Sequence, residues 1–152
     1  MIRERLKAAM IAGMKAGEKD KVATIRLIQS EVKNKDIEAR TGGPVEDDDA
    51  HVTSVLQKMV KQRRESVEMY RKGGAEDRAL AEEAEIAVIE EFLPAQMSDE
   101  DAEAAVRAIV AETGASSMKD MGTVMGQVRA RHGATIEPAK ASALAKKALL
   151  GQ

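Results

Sequence analysis

The hydrophobic positions of the chain repeat at helical spacing from its first residues. Ile2, Leu6 and Met10 are spaced by four, which predicts a first helix. We expect that helix to end near Gly17. A second helix follows, and its buried side is predicted to carry Val22, Ile25, Ile28, Val32 and Ile37. Residues 40–44 contain two glycines and a proline, so a loop ends this helix.

A helical hairpin is predicted next. The apolar residues of 52–70 follow helical spacing in what is the longest predicted helix, and Gly73 and Gly74 end it. A fourth helix spans about 75–92 and turns its glutamates outward. Its inward side is predicted to carry Leu80, Ile86, Ile89 and Leu93. Two long antiparallel helices joined by two glycines form a hairpin.

Pro94 marks the predicted boundary between two helical domains. It breaks the fourth helix, and Ser98 caps a fifth one. The domains are predicted at 1–94 and 95–152: an N-terminal helical domain that contains the hairpin, and a small C-terminal three-helix domain. Its last helix begins at about Pro138, a favoured first-turn residue. Strand alternation of useful length is absent, so the fold class is all-α.

The sixth helix, which starts at Ser117, carries two glycines four residues apart, Gly122 and Gly126. Each glycine costs a helix interior about 1 kcal/mol relative to alanine. We therefore expect a tight crossing by the fifth or seventh helix; a ligand backbone resting against the glycines is the alternative. Three methionines at helical spacing predict core filling or, as the alternative, a groove for a partner. They are Met118, Met121 and Met125.

Composition narrows the chemistry of the chain. The 152 residues include one Phe, one Tyr and no Trp, so the cores must consist of closely packed aliphatic helices. The absence of cysteine excludes disulfides, Cys-ligated metals and thiol chemistry. No apolar run is long enough to span a membrane, and the N-terminus has no signal-peptide core. We expect a cytoplasmic protein that does not contact membranes.

The net charge of −2 conceals a segregation of charges along the chain. Residues 1–40, 58–72 and 121–152 each carry a net charge of +4, whereas residues 76–103 carry −10. Any single block is typical of a solvated helix face. The alternation leaves basic surfaces that can meet phosphate and an acidic stretch that repels it.

Enzyme signatures are missing from the sequence. It has no glycine-rich phosphate loop followed by Lys-Ser/Thr. His51 and His132 are far apart and neither has a metal-ligand spacing. Ser116 and Ser117 are interpreted as helix-capping residues rather than nucleophiles. The sequence therefore predicts no catalytic residue, no metal and no cofactor.

Nucleic-acid binding is better supported by the residues. Lysines and arginines cluster at the end of the sixth helix and along the seventh, where they suit phosphate contacts. Because aromatic residues are nearly absent, such contacts would read the RNA backbone and shape rather than the bases. The predicted RNA-binding residues are Lys119, Arg129, Arg131, Lys140, Lys146 and Lys147.

Several motifs, in this order and spacing, resemble the GatB/YqeY family of small bacterial proteins. The strongest is Gly-Ala-Ser-Ser-Met-Lys-Asp-Met-Gly-Thr-Val-Met-Gly at 114–126. The others are Ile-Arg-Leu-Ile at 25–28, Lys-Gln-Arg-Arg-Glu-Ser at 61–66, Tyr-Arg-Lys-Gly-Gly at 70–74, and the stretch 85–98 that ends in Phe-Leu-Pro-Ala-Gln-Met-Ser. In that family the C-terminal part is similar to the tail domain of the B subunit of the tRNA-dependent amidotransferase.

The resemblance implies an all-helical, two-part protein that handles tRNA. In the amidotransferase the related tail helps to hold tRNA while attached glutamate or aspartate is amidated with glutamine-derived ammonia. The catalytic part of that subunit has no counterpart in this chain. We therefore expect a non-catalytic, translation-related module that binds tRNA or a tRNA-handling protein.

Two alternatives remain open, and the sequence leaves the oligomeric state unassigned. One is a protein–protein adaptor that docks through acidic residues 76–103 and the basic third helix. The other is an accessory component of a glutamine-dependent carbon–nitrogen ligase.

The chain also departs from the family pattern, since Thr123 stands where members often have lysine and Ala134 where they often have a basic residue.

Overall fold

The computed structural model describes residues 1–151. This part of the chain contains seven α-helices and no strand, which confirms the all-α fold class. Its contacts divide the chain into two compact units, Met1–Leu93 and Pro94–Gln152, each with its own hydrophobic core. Within the described residues, no helix combines the length and the apolar character needed to cross a membrane.

The N-terminal unit consists of four helices: α1 (Ile2–Ala16), α2 (Lys19–Ala39), α3 (Asp48–Lys72) and α4 (Glu76–Glu90). The C-terminal unit consists of three helices and a short 3₁₀ turn: α5 (Asp99–Thr113), the turn Met118–Asp120, α6 (Met121–His132) and α7 (Pro138–Leu149). The aliphatic face of each helix is buried within its unit, as expected for cores without aromatic layers.

Local sequence signals set the two ends of α3. The side chain of Asp47 caps its N-terminus by accepting a hydrogen bond from Ala50 N at 3.0 Å. Asp48 and Asp49 lie in the first turn, next to the positive end of the helix dipole. After the helix, Gly74 adopts a φ of 76°, which a residue with a side chain rarely adopts.

α3 and α4 pack as the predicted hairpin, and ion pairs join them. Arg63 lies close to the core, with its side chain only 16% exposed, and its Nε lies 2.8 Å from Glu85 Oε2. Arg71 pairs with both Glu76 and Glu83. A large part of the basic face of α3 is therefore neutralised by the acidic face of α4.

Three side chains that the sequence placed inside are exposed. In α4, Leu80 is 52% exposed because its neighbour Ala79 faces the core, in line with Ile86. Ile37 is 46% exposed at the end of α2, where the chain passes beyond the core. Met118 is 42% exposed because it lies in the 3₁₀ turn before α6, whereas Met121 and Met125 pack against the core as predicted.

A charge network ties three helix ends together in the N-terminal unit. Arg3 of α1 donates to both oxygens of Asp36 near the end of α2, at 2.8 and 2.9 Å, and to Asp48 at the start of α3. His51 Nε2 lies 2.9 Å from Asp36 Oδ1. Because the Arg3 guanidinium stabilises the carboxylate, it lowers the pKa of Asp36 from 3.8 to about 2.

Hydrogen bonds fix the segment that leads into α5. The side-chain amide of Gln96 donates to the carbonyls of Pro94 and Ala134, at 2.8 and 2.9 Å. Next to it, Met97 N donates to Thr135 O at 2.9 Å. The residues between α6 and α7 thus hold the start of the C-terminal unit, and Ser98 then caps α5 as predicted.

The expected tight crossing at Gly122 and Gly126 is wrong. A Cβ atom added at either glycine would meet nothing within 4 Å, so no helix of the described chain approaches them closely. The alternative, a ligand backbone resting against them, stays a prediction. The close helix contact lies instead at Gly13 of α1, where a Cβ atom would lie 2.9 Å from Val22 Cγ2.

We predict that Gly122→Ala and Gly126→Ala each raise the free energy of unfolding by about 0.5–1 kcal/mol, because alanine fits the open space and favours the helix. Denaturant titration measures the change. Gly114→Ala is the control and should destabilise the chain, since Gly114 has a φ of 68°. Destabilisation by both α6 substitutions would mean that the glycine face is packed.

We predict that Asp36→Asn lowers the free energy of unfolding at neutral pH by about 1 kcal/mol, less than the roughly 1.5–3 kcal/mol of a buried charge-assisted hydrogen bond, since Asp36 is partly exposed. The Asp36 carboxylate stabilises the fold above its unfolded pKa, and this contribution is lost as the pH falls from about 4 to about 2. The unfolding midpoint of the variant should therefore depend less on pH in that window. Glu38→Gln on the same helix is the matched control, and an equal effect from it would contradict the prediction.

Candidate nucleic-acid interface

The six predicted RNA-binding residues lie at the ends of the helices of the C-terminal unit. Lys119 is in the 3₁₀ turn, and Lys140 is in the first turn of α7. The other four occupy the last turns of α6 and α7, next to the negative ends of the helix dipoles: Arg129, Arg131, Lys146 and Lys147.

Burial of the small aliphatic residues directs these cations outward. Val124 and Val128 of α6 and Ala141 and Ala145 of α7 are buried in the core of the unit. The opposite faces of both helices therefore meet solvent, and five of the six cations are exposed, Lys140 being half-buried. On α6, Arg129 shares an exposed face with Gly122 and Gly126, because residues three and four apart lie together on a helix.

Acidic side chains of α5 neutralise part of this set. Arg131 NH1 lies 2.5 Å from Glu112 Oε2. Lys147 Nζ lies 3.4 Å from Glu103 Oε1, which is also held by Arg107 at 2.8 Å. These pairs are exposed, so each contributes little to stability, but each occupies a cation that a phosphate would need.

Lys140 is the third paired cation. Its Nζ forms an ion pair with Asp99, the first residue of α5. The ammonium group stabilises the carboxylate and lowers the pKa of Asp99 below its ordinary value of 3.8. The sequence did not reveal these pairs, because the charge blocks were compared as whole segments and pairing across helices depends on which faces meet.

The other three cations make no ion pair within residues 1–151: Lys119, Arg129 and Lys146. All three are exposed. We call them the free C-terminal cations. They are the predicted residues that can accept a phosphate without first breaking a contact.

Arg107 was missed by the sequence analysis. It lies on α5 and lines an open groove of about 360 Å³ together with Val110, Ala148 and Gly151. It lies just after the acidic stretch 76–103 and outside the basic segments, so the charge pattern did not single it out. Glu103 and Arg107 are four residues apart, which places their side chains next to each other on a helix, and this spacing could have indicated Arg107 from the sequence.

Ser116 and Ser117 belong to a helix cap. The Asp120 carboxylate accepts hydrogen bonds from the backbone of Ser116 and Ser117 at 2.9 and 3.3 Å, as the capping interpretation predicts. This cap precedes the 3₁₀ turn rather than α6 itself. Within residues 1–151 no three histidines or carboxylates come together as a metal site would require.

Nearly the whole chain matches one protein family. An uncharacterized protein of Schizosaccharomyces pombe is 30% identical to it over 94 residues, which is 62% of this chain and 73% of that relative. The match to the family described as Yqey-like protein extends over residues 3–149, so the chain belongs to the Yqey-like protein family.

Proposed function

We propose that the chain is a non-catalytic module that binds tRNA, or a protein that handles tRNA. The observation that carries the proposal is the set of free C-terminal cations, Lys119, Arg129 and Lys146, exposed at the ends of α6 and α7. Phosphate contacts of this kind supply most of the affinity in nucleic-acid binding that does not depend on sequence. The motif resemblance to the tail of the amidotransferase B subunit supports tRNA as the ligand.

The same unit is suited to the RNA backbone rather than the bases. Residues 94–152 contain no Phe, Tyr or Trp, so the large aromatic rings on which bases usually stack are missing from this unit. Lysine and arginine at helix ends contact phosphates and position the RNA without reading its sequence. Thr123 and Ala134 are exposed and uncharged, which leaves the phosphate contacts to the free C-terminal cations.

The alternatives from the sequence make different predictions. The adaptor proposal relies on the charges of α3 and α4, many of which pair with each other in the hairpin. A protein partner that is captured equally with and without ribonuclease would favour the adaptor. Product formation in an amidation assay that contains the chain but lacks the normal B subunit would favour a ligase component.

We predict that Lys119→Gln, Arg129→Gln and Lys146→Gln together weaken the retention of a mixed tRNA pool at low salt. For the unchanged chain, the logarithm of the binding constant should fall with the logarithm of the salt concentration. The triple variant should reduce this slope by about 2–3, at about 0.7–0.9 for each lost phosphate contact.

Lys58→Gln, Lys61→Gln and Lys72→Gln form the matched control, since they remove the same charge from exposed positions of α3. Circular dichroism verifies that both triple variants are folded. Equal weakening by both would show that net charge alone governs retention. Failure of the unchanged chain to retain tRNA would overturn direct tRNA binding and leave only a tRNA-handling protein as the ligand.

We also predict that Glu112→Gln and Glu103→Gln each strengthen tRNA binding about two- to fivefold, because the first releases Arg131 and the second releases Lys147 and Arg107 from surface ion pairs. Fluorescence anisotropy with labelled tRNA measures the effect. Glu100→Gln is the control, since it removes one exposed negative charge from the same helix outside these pairs. If all three variants bind alike, only the net charge matters and the ion pairs play no part.

A further inference from the structure

A line of four cations runs along α2 in the N-terminal unit. Lys19, Arg26, Lys33 and Arg40 follow one another at intervals of seven residues, the last of them capping the helix. Seven residues make almost two turns, so these side chains stay on one side of the helix and are about 10 Å apart. We call them the α2 stripe; it is about 30 Å long.

The stripe is exposed and unpaired, unlike the other cations of α2. None of its four members makes an ion pair within residues 1–151. The two cations of α2 outside the line are paired, Lys21 with Glu91 and Lys35 with Glu38. Ion pairing within the unit thus neutralises the cations beside the stripe and leaves the stripe charged.

The acidic residues near the stripe do not neutralise it. Glu18 lies next to Lys19 at the N-cap and forms no ion pair with it, and Asp20, Glu31 and Glu38 point about 100° or more away from Lys19, as the helical rotation of about 100° per residue requires. Asp36 lies one turn before Arg40, but both of its oxygens accept hydrogen bonds from Arg3. An anion that approaches along the stripe therefore meets mainly positive charge.

The first half of the stripe borders a groove. Lys19 and Arg26 line an open space of about 360 Å³ between α1 and α2, together with Met14, Gly17 and Ala23. No acidic residue lines it. The close approach of the two helices at Gly13, which also lines the groove, brings its walls together. A narrow anionic ligand can lie in this groove between Lys19 and Arg26.

We propose that the α2 stripe is a second nucleic-acid surface, which contacts the phosphate backbone of RNA. A polymer with a phosphate at every nucleotide meets evenly spaced cations in any register, whereas an acidic protein would need carboxylates placed to match. No aromatic residue lies on α2, so the bases meet no aromatic ring there and the contacts go to the phosphate backbone. The proposal uses none of the residues that carry the proposed function of the C-terminal unit.

A membrane surface fits the stripe less well. A helix that lies in a bilayer interface inserts an apolar face. The apolar face of α2 is instead buried in the protein through Ile25, Ile28 and Val32. On the exposed side, Leu27 and Ile37 are each 46% exposed, ten residues apart, and no Trp or Phe is present. Charge attraction would therefore be the main contribution to lipid binding, and the experiment separates this from RNA binding.

The test compares three triple variants of the full chain on one probe, a labelled RNA duplex of about 16 base pairs. The stripe variant is Arg26→Gln, Lys33→Gln and Arg40→Gln. Lys58→Gln, Lys61→Gln and Lys72→Gln on α3 form the control with the same net charge, since Glu65 and Glu68 interrupt that face. The third variant removes the free C-terminal cations. Thermal unfolding verifies that all are folded.

The stripe variant should bind the duplex with a salt slope reduced by about 2–3, whereas the α3 control keeps the slope of the unchanged chain. Equal slopes for these two variants would overturn the inference. The stripe variant is also tested for binding to phosphatidylserine vesicles. If it binds RNA as the unchanged chain does but no longer binds the vesicles, the inference is overturned. If removing the free C-terminal cations has no effect on the duplex or on tRNA while the stripe variant weakens both, the proposed function fails and the inference stands. If removing the free C-terminal cations weakens binding to both RNAs while the stripe variant binds both as the unchanged chain does, the inference is overturned and the proposed function stands.

Discussion

Every helix of this chain must bury an aliphatic face, and almost no aromatic side chain is available to fill the space between helices. Ile25, Ile28 and Leu56 are fully buried in the first core, and Val106, Ile109 and Val124 are buried or nearly so in the second. Such cores are thin, so helices must approach closely, as α1 and α2 do at Gly13. Because aliphatic side chains fill the cores, nearly all the charged side chains lie on the outer faces of the helices. Their arrangement there decides what the surface can bind.

Ion pairing between helices sorts these outer charges. α4 neutralises arginines of α3, and α5 neutralises half of the predicted RNA-binding residues. Exposed pairs of this kind add little to stability. Their effect is to divide the cations of each unit into those held in an ion pair and those that can bind a phosphate directly. A count of basic residues over a segment therefore overestimates the surface that can meet a phosphate.

The helices were largely predictable from the sequence because the local signals agree with each other. Ser98 before α5 and Pro138 at the start of α7 act as expected. The errors concern contacts between helices. Whether Gly122 and Gly126 allow a close helix crossing depends on what packs against them. Whether Leu80 is buried depends on the rotation of α4 about its own axis. For the candidate site, the sequence predicted the cations but not the acids of α5 that hold three of them.

An unpaired surface lysine or arginine has almost no effect on folding, so stability neither requires the α2 stripe nor explains its regular spacing. The same reasoning applies to Lys119, Arg129 and Lys146. In the two proposals, each set alone would offer three or four phosphate contacts, and such binding is weak and sensitive to salt. The two sets belong to one chain, however. When one set holds an RNA, the other is confined near the same molecule, and its effective concentration rises, provided that the chain lets both reach it. Two weak surfaces on separate units would then bind one long RNA more tightly than either could, and a short RNA no better than one surface alone.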